Sequence, residues 1–322
     1  MVNFSPEHTL NHLSRLQVQH VEMLNAAGSI PIQLCTDIEL AYPHYFEHKE
    51  IVTHYHCDSP MPVTLNPMAE ITGNTPSMRC NQLLSLWLSE CAYKNEALAM
   101  VFVLCPIDCN TSLVKSIFVN AKEIHICHQS VAYLQAIDYW IRHAEANQMC
   151  LVITVDSLVD LAEFSQQQSP LFHDLNPDGL IASEGLTAIR CSVAPEVKEP
   201  VLIADEPFYQ KADTEVTETL TQLFSKAEDL SPSLISNHGI DTNANHEVYR
   251  AIPAHHLIQI RKSLGDSGLN ELGLAIALAA SRSQWTEHDH HGVLWFNNQS
   301  RLLWPKVYSE NTESTNQGRN DE

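Results

Sequence analysis

Between residues 97 and 105 the chain runs "ALAMVFVLC", which is largely apolar, and a similar run returns at "QMCLVITVDS" (148–157). Continuous apolar stretches of this length mark strands buried on both faces. "EIHIC" (123–127) reads as a third strand, and "GLIASEGLTAIRCSV" (179–193) as one strand or a pair after the turn "NPDG". Helical spacing takes over between them. "CNQLLSLWLSECAYK" (80–94) places apolar residues on one face, and "VKSIFVNA" (114–121) is a short helix. "SVAYLQAIDYWIRHAEAN" (130–147) is a longer one, with Ser130 as N-cap and a core face of Val131, Leu134, Ile137, Tyr139 and Ile141.

The flanking regions complete the pattern. Residues 1–30 read as an amphipathic helix with a loose start. "CDSPMPVTLNPMAEITGNTPSM" (57–78) is a Pro/Asn/Thr-rich connection. Helices are expected over 216–230 and 245–263, with the short strand "SLIS" between them. "LNELGLAIALAASRS" (269–283) is apolar nearly all round and must be buried. "GVLWFNN" and "RLLWPKVY" form a closing hairpin, and the polar tail 309–322 lacks the apolar residues to pack. Apolar strands alternating with helices predict a mostly parallel sheet covered on both faces. Two helices too apolar for a surface (130–147, 269–283) predict a layered α/β architecture, with helices held between two sheets.

Composition narrows the partners. The 322 residues carry 39 acidic and 18 basic side chains, a formal net charge of −21. So negative a surface repels phosphate backbones, which argues against nucleic acid, while it suits a basic protein partner or simple solubility. No apolar run is long enough to span a bilayer, and "MVNFSPEHTLNHLSRLQ" lacks a basic-then-apolar leader, so a cytoplasmic location without membrane association is expected. Nine cysteines, odd in number, irregularly spaced and often inside apolar runs, fit reduced core thiols better than a disulfide framework.

The order of motifs over residues 76–305 resembles the thiolase-fold β-ketoacyl synthases, the condensing enzymes of fatty-acid and polyketide synthesis. "MRCNQLLSLWLSECAYKNEALAMVFVLC" is similar to the family's first long helix and the strand after it. "ICHQSVAYLQAIDYWIRHAEANQMCLVITVDSLVD" is similar to the nucleophile segment, with "TVDS" where a small-residue pair usually ends the strand. Ser183-Glu184-Gly185 stands in place of Gly-Glu-Gly. "SNHGIDTNANHE" (236–247) is similar to the segment bearing the first catalytic histidine, and "KSLGDSGLNELGLAIALAAS" (262–281) to the segment bearing the second. The implied fold is a layered α-β-α-β-α sandwich, truncated relative to full ketosynthases. Residues 1–75 match poorly and complete or extend it, the halves are 76–193 and 194–308, and a tail follows.

By the resemblance Cys127 is the nucleophile, at a helix start where backbone N–H groups favour a thiolate. His238 takes the place of the first histidine, and Asp266 occupies that of the second. The glycine-rich loop expected after "GVLWF" is "NNQSR", without glycine. An ionised aspartate only accepts hydrogen bonds, so it repels both a malonyl carboxylate and the enolate formed on decarboxylation. Losing one oxyanion donor alone costs about 2.7–4 kcal/mol of barrier.

The residues also have plainer readings. Cys127 alone is as well a buried inert thiol, His238 a turn histidine, Glu184 a structural carboxylate and Asp266 a cap for the following helix. The resemblance therefore implies a ketosynthase-like protein that has lost condensing activity. It would act as a binding, scaffold or accessory partner, with a secretion system or an acyl-chain pathway. An acyl carrier protein, acyl-CoA or a protein client is the expected partner, and a homo- or heterodimer the expected assembly. Carrier proteins are themselves acidic, and Arg261 with Lys262 is the one evident basic pair near the site. The alternative is a cysteine-dependent acyltransferase using Cys127 and His238.

No cofactor is expected. A rival signal is "THYHCDS" (53–59), where His54, His56 and Asp58 have metallo-hydrolase spacing on one strand face, but Ser59 stands where a further histidine belongs. "TEHDHHG" (286–292) reads as a solvated loop. There is no P-loop, no G-x-G-x-x-G and no G-x-S-x-G.

Overall fold

A computed structural model describes residues 15–25, 52–54, 63–161, 182–195, 202–204, 233–235, 265–285, 291–296, 302–304 and 306–309. Twelve strands and four helices lie among them. In chain order they are β1 (Leu16–Asn25), β2 (Val52–His54), β3 (Val63–Asn66), α1 (Pro76–Glu90), β4 (Met100–Leu104), α2 (Ser112–Ile117), β5 (Glu123–Cys127), α3 (Ser130–His143), β6 (Met149–Ser157), β7 (Ala182–Val193), β8 (Leu202–Ala204), β9 (Ser233–Ile235), α4 (Asn270–Trp285), β10 (His291–Phe296), β11 (Leu302–Trp304) and β12 (Lys306–Ser309).

The apolar runs are central strands, as their composition demands. β4 pairs parallel with β5 on one side and β6 on the other, through crossovers containing α2 and α3. β7 then pairs antiparallel with β6, and β1 antiparallel with β7. The five strands run β5-β4-β6-β7-β1, and the path continues through β12, β10, β11 and β8. Side chains alternate between two cores. Phe102, Leu104, Cys150 and Val152 meet Tyr133, Leu134, Ile137 and Ile141 of α3 and Leu272, Leu274 and Ile276 of α4. Val101, Val103, Leu151, Ile153 and Val155 meet Leu83, Leu84, Trp87 and Leu88 of α1 and Val114 of α2. α4 packs against β6, β7 and β1 and also against β9, β10 and β12, which is why it is apolar all round.

Three local expectations are corrected. Residues 16–25 form a strand, not part of a helix. "LQVQHVEMLN" alternates at its start, and β1 is locked between β7 and β12, with Leu16, Val18, Val21 and Met23 in the first core. The N-terminal region thus supplies a strand inside the sheet. Tyr139 is 56% exposed and packs edge-on against His143, whereas Tyr133 is buried and donates its hydroxyl to the Ile153 carbonyl. α3 is capped at Gln129, one residue before the expected Ser130, with no side-chain cap bond. α1 begins earlier than its apolar pattern, at Pro76. Thr75 accepts the Met78 N–H, and Pro suits the first turn because it lacks a donor there. β10 and β11 form the expected hairpin, and β9 is the expected short strand.

The helices expected over 216–230 and 245–263, the tail beyond Ser309, His238, Arg261, Lys262, His56 and Asp58 lie outside the described residues. His54 is in β2, paired with Val63. Among the described residues no group of three or more His, Cys, Asp or Glu side chains is placed to hold a metal ion, and no helix is long and apolar enough to cross a membrane.

Candidate functional site

Parallel strands in an α/β sheet place their carboxyl ends on one edge, and ligands collect in the crevice outside it. Here that edge is formed by the ends of β4, β5 and β6, that is Leu104, Cys127 and Ser157, and by the segment 265–270 leading into α4. Cys127 is the last residue of β5. It pairs with Leu104, and its carbonyl accepts the Cys105 N–H at 3.1 Å. Its side chain is 6% exposed and belongs to the first apolar core. Burial alone pushes the thiol up to about 11.

α3 begins at Ser130, three residues after Cys127 and where the helical spacing places it, and this serine is buried. The neighbouring His128 turns to the opposite side, where Nδ1 donates to the Cys105 carbonyl at 2.8 Å.

Asp266 stands elsewhere on the edge. Its carbonyl accepts the Ser183 N–H at 2.8 Å in an isolated bridge to Ala182, and Oδ1 accepts the Gly268 N–H at 2.9 Å. That second bond is an Asx turn ahead of α4, close to the capping role that Gly-Asp-Ser suggests. Cys127 is level with Leu104 and, across β4, with Thr154 of β6. Ser183 lies beyond the pairing of Ser157 with Glu184. β7, to which Asp266 bonds, is therefore three strands along from β5, and Ser183 lies four positions from Thr187, the β7 residue level with Thr154. The geometry leaves Cys127 in the apolar core and Asp266 in its turn.

What does gather at this edge is a buried carboxylate system. Asp156, in the "TVDS" segment, accepts the Ser157 N–H on Oδ1 and the Leu269 N–H on Oδ2, each at 2.8 Å, with the Cys80 thiol 3.9 Å from Oδ1. Burial raises its carboxyl to about 7, against the lowering effect of its two backbone donors, and the nearby Asp266 adds to the rise. Gly268 has φ +65°, and a Cβ there would sit 2.2 Å from Asp156 Oδ2, so glycine is required on both counts. Asn270 and Thr154 close the junction, Thr154 Oγ1 donating to Asn270 Oδ1 at 3.1 Å.

Glu184 is the structural carboxylate its sequence position allows. It is fully buried in a two-pronged pair with Arg79, whose Nε donates to Oε2 at 2.6 Å and whose Nη2 reaches Oε1. The Met68 N–H and the Ser157 hydroxyl donate to it as well, at 2.6 and 3.0 Å. Arg79 Nη1 donates to the Gly73 carbonyl at 2.7 Å. A buried pair holds only when the surrounding hydrogen bonds are also met, and here they are. The set ties α1, the 66–75 connection, β6 and β7 together.

The sheet order, its parallel crossovers, the antiparallel β7 and the helices on both faces define a thiolase-type α/β fold, the architecture of the β-ketoacyl synthase III proteins. No protein-family model matches the sequence, and no curated protein matches it. Solved structures do. ChlB3, described as an acyltransferase, matches at 12% identity over 92% of this chain and 98% of its own, with a TM-score of 0.52. β-Ketoacyl-[acyl carrier protein] synthase III (FabH) from Thermus thermophilus matches at 11% identity over 91% and 98%, TM-score 0.51. A variant of OleA from Xanthomonas campestris, solved with cerulenin, matches at 10% identity over 94% and 99%, TM-score 0.51. At these identities the likeness establishes the fold. Measured against these proteins, the chain carries nearly the whole of their length.

Proposed function

We propose that this chain keeps the ketosynthase-type fold without the condensing reaction and works as a binding or scaffold partner. The observation that supports this best is the burial of Cys127 in the first core. With its thiol raised to about 11, roughly one molecule in 10⁴ carries the thiolate at pH 7, against a few per cent for an ordinary cysteine. Asp266 adds a second reason. In the place of a proton-donating histidine it offers an acceptor, already engaged by the Gly268 N–H.

The sheet supports a surface for assembly. β5 ends the strand path, so its outer edge is open for pairing among the described strands, and Glu123 and His125 are exposed on it. An open edge strand invites a partner strand. We take this edge as the dimer surface, with a second copy or an active ketosynthase as the pairing chain. The net charge of −21 favours a basic client over an acidic carrier protein.

The test is to incubate the native chain with acyl-CoA and with malonyl thioester, then read intact mass and thioester consumption. The proposal expects no acyl adduct on Cys127 and no consumption above background. An acyl adduct on Cys127, lost in Cys127→Ala and dependent on His238, would establish the acyltransferase reading instead.

A further inference from the structure

Independently of that reading, we infer that the 265–269 turn is a proton-controlled latch, closed on β6 while the Asp156 carboxyl holds its proton and released when that proton is lost. The turn has the backbone of a hinge. Gly265 and Gly268 are both left-handed, at φ +77° and +65°, and they bracket Asp266 and Ser267 ahead of α4. One end is fastened to β7, where the Ser183 N–H donates to the Asp266 carbonyl at 2.8 Å. The other end is closed on β6. Asp156 Oδ2 accepts the Leu269 N–H at 2.8 Å, and Gly268 packs against the same oxygen. The next contact along, Thr154 Oγ1 to Asn270 Oδ1 at 3.1 Å, is between neutral groups and has no proton to lose near neutrality.

The groups around Asp156 make the closed form depend on that proton. The residue is 6% exposed, and its hydrogen bonds come from the Ser157 and Leu269 N–H groups and the Cys80 thiol, none of them a cation. α1 brings Arg79 near, but that guanidinium is taken by Glu184 of β7 through Nε and Nη2 and by the Gly73 carbonyl through Nη1. The turn brings Asp266, the first turn of α4 brings Glu271, and the loop after β4 brings Cys105 and Cys109, so none of these adds a positive charge. An ionised carboxylate here meets only dipoles, and admitting water relieves it. β6 cannot make room, because it is an inner strand bonded to β4 and β7. The glycine-bracketed turn is the side that can move. Burial accordingly raises the Asp156 carboxyl to about 7, against the ordinary 3.8. The closed form keeps the proton between those values and the open form does not. Opening therefore grows with pH through that interval, by up to about tenfold per unit, and levels off above it.

Hydrogen–deuterium exchange of the native full chain tests this, read by peptide from pH 5 to pH 8 and corrected for the intrinsic rate of each amide. Amides 268–271 should lose protection by roughly tenfold or more over that range, with the change complete near pH 8. They should also be less protected than the β4 amides at every pH, and dilute urea should leave their rate unchanged while it speeds exchange in β4, because a local opening exposes little surface. In Asp156→Asn, which has no proton to lose, the protection of 268–271 should not vary with pH. Wild-type protection that is constant or rises with pH overturns the inference, and that result needs no variant. So does exchange of 268–271 in step with β4 in both pH and urea, which is global unfolding without a latch. A pH dependence that survives in Asp156→Asn overturns it as well.

Discussion

Replacing Asp156 by asparagine removes a buried carboxyl whose titration should make stability fall as pH rises through neutrality. Burial raises its carboxyl to about 7 in the folded protein, against the ordinary exposed aspartate value of 3.8. The folded state therefore holds the proton more tightly than the unfolded state between those values. Stability present below pH ~4 must decline as pH rises through 7, by at most 1.36 kcal/mol per unit and on the order of 4 kcal/mol in total. The sign is opposite to that of a salt-bridged aspartate, because here burial outweighs the donors from Ser157 and Leu269. The measurement is urea unfolding from pH 4 to pH 8.5 for wild type and Asp156→Asn. The difference between the two isolates this site from the general repulsion that a net charge of −21 also adds as pH rises. Asparagine cannot lose a proton, so wild type should lose stability relative to the variant as pH rises, levelling off above 8. A difference that is flat, or that grows in favour of wild type, would show that Asp156 is solvated or ionised in the fold and would refute the reasoning.

Two further outcomes test the buried carboxylates and a third the surface of α3. Arg79→Met leaves the Glu184 carboxylate buried without its cation and should cost about 3–5 kcal/mol in denaturant unfolding, part of it recovered in the double variant with Glu184→Gln. Gly268→Ala must adopt a left-handed backbone and push a methyl into Asp156, so it should lower stability by ~2 kcal/mol or more and shift Tm accordingly. Tyr139→Ala should change stability by no more than ~0.5 kcal/mol, because its ring is largely in solvent despite its place in an apolar pattern.

The strands at 100–104, 123–127, 149–157 and 182–193 were legible because burial on both faces imposes continuous apolar runs that few other elements need. α1, α3 and α4 were legible from their helical spacing. β1 was not. Its ten residues carry both a helical and an alternating pattern, and the choice is made by pairing with β7, far along the chain. Tyr139 was misplaced for a related reason: an aromatic next to a core stripe is assigned by phase, and the phase runs through Tyr133, Ile137 and Ile141. The resemblance found the fold and the glutamate, while the carboxylate junction escaped it. Asp156 and Leu269 are 113 positions apart, and Arg79 and Glu184 are 105 apart, so neither pair leaves a local mark. Cys127 shows the limit most clearly. Its neighbourhood reads as strand, cysteine, helix, with the helix from Ser130 as the structure has it, but nothing local tells that the thiol is buried in the first core.

The account turns on whether Cys127 is a working nucleophile. Its alkylation rate in the folded chain, read by mass spectrometry with iodoacetamide across pH 6 to 11, tests this directly. A rate that stays low through neutrality and is still rising near pH 11 is the predicted result. A midpoint at or below the ordinary thiol value of about 8.5, with alkylation faster than at the other cysteines, would contradict it.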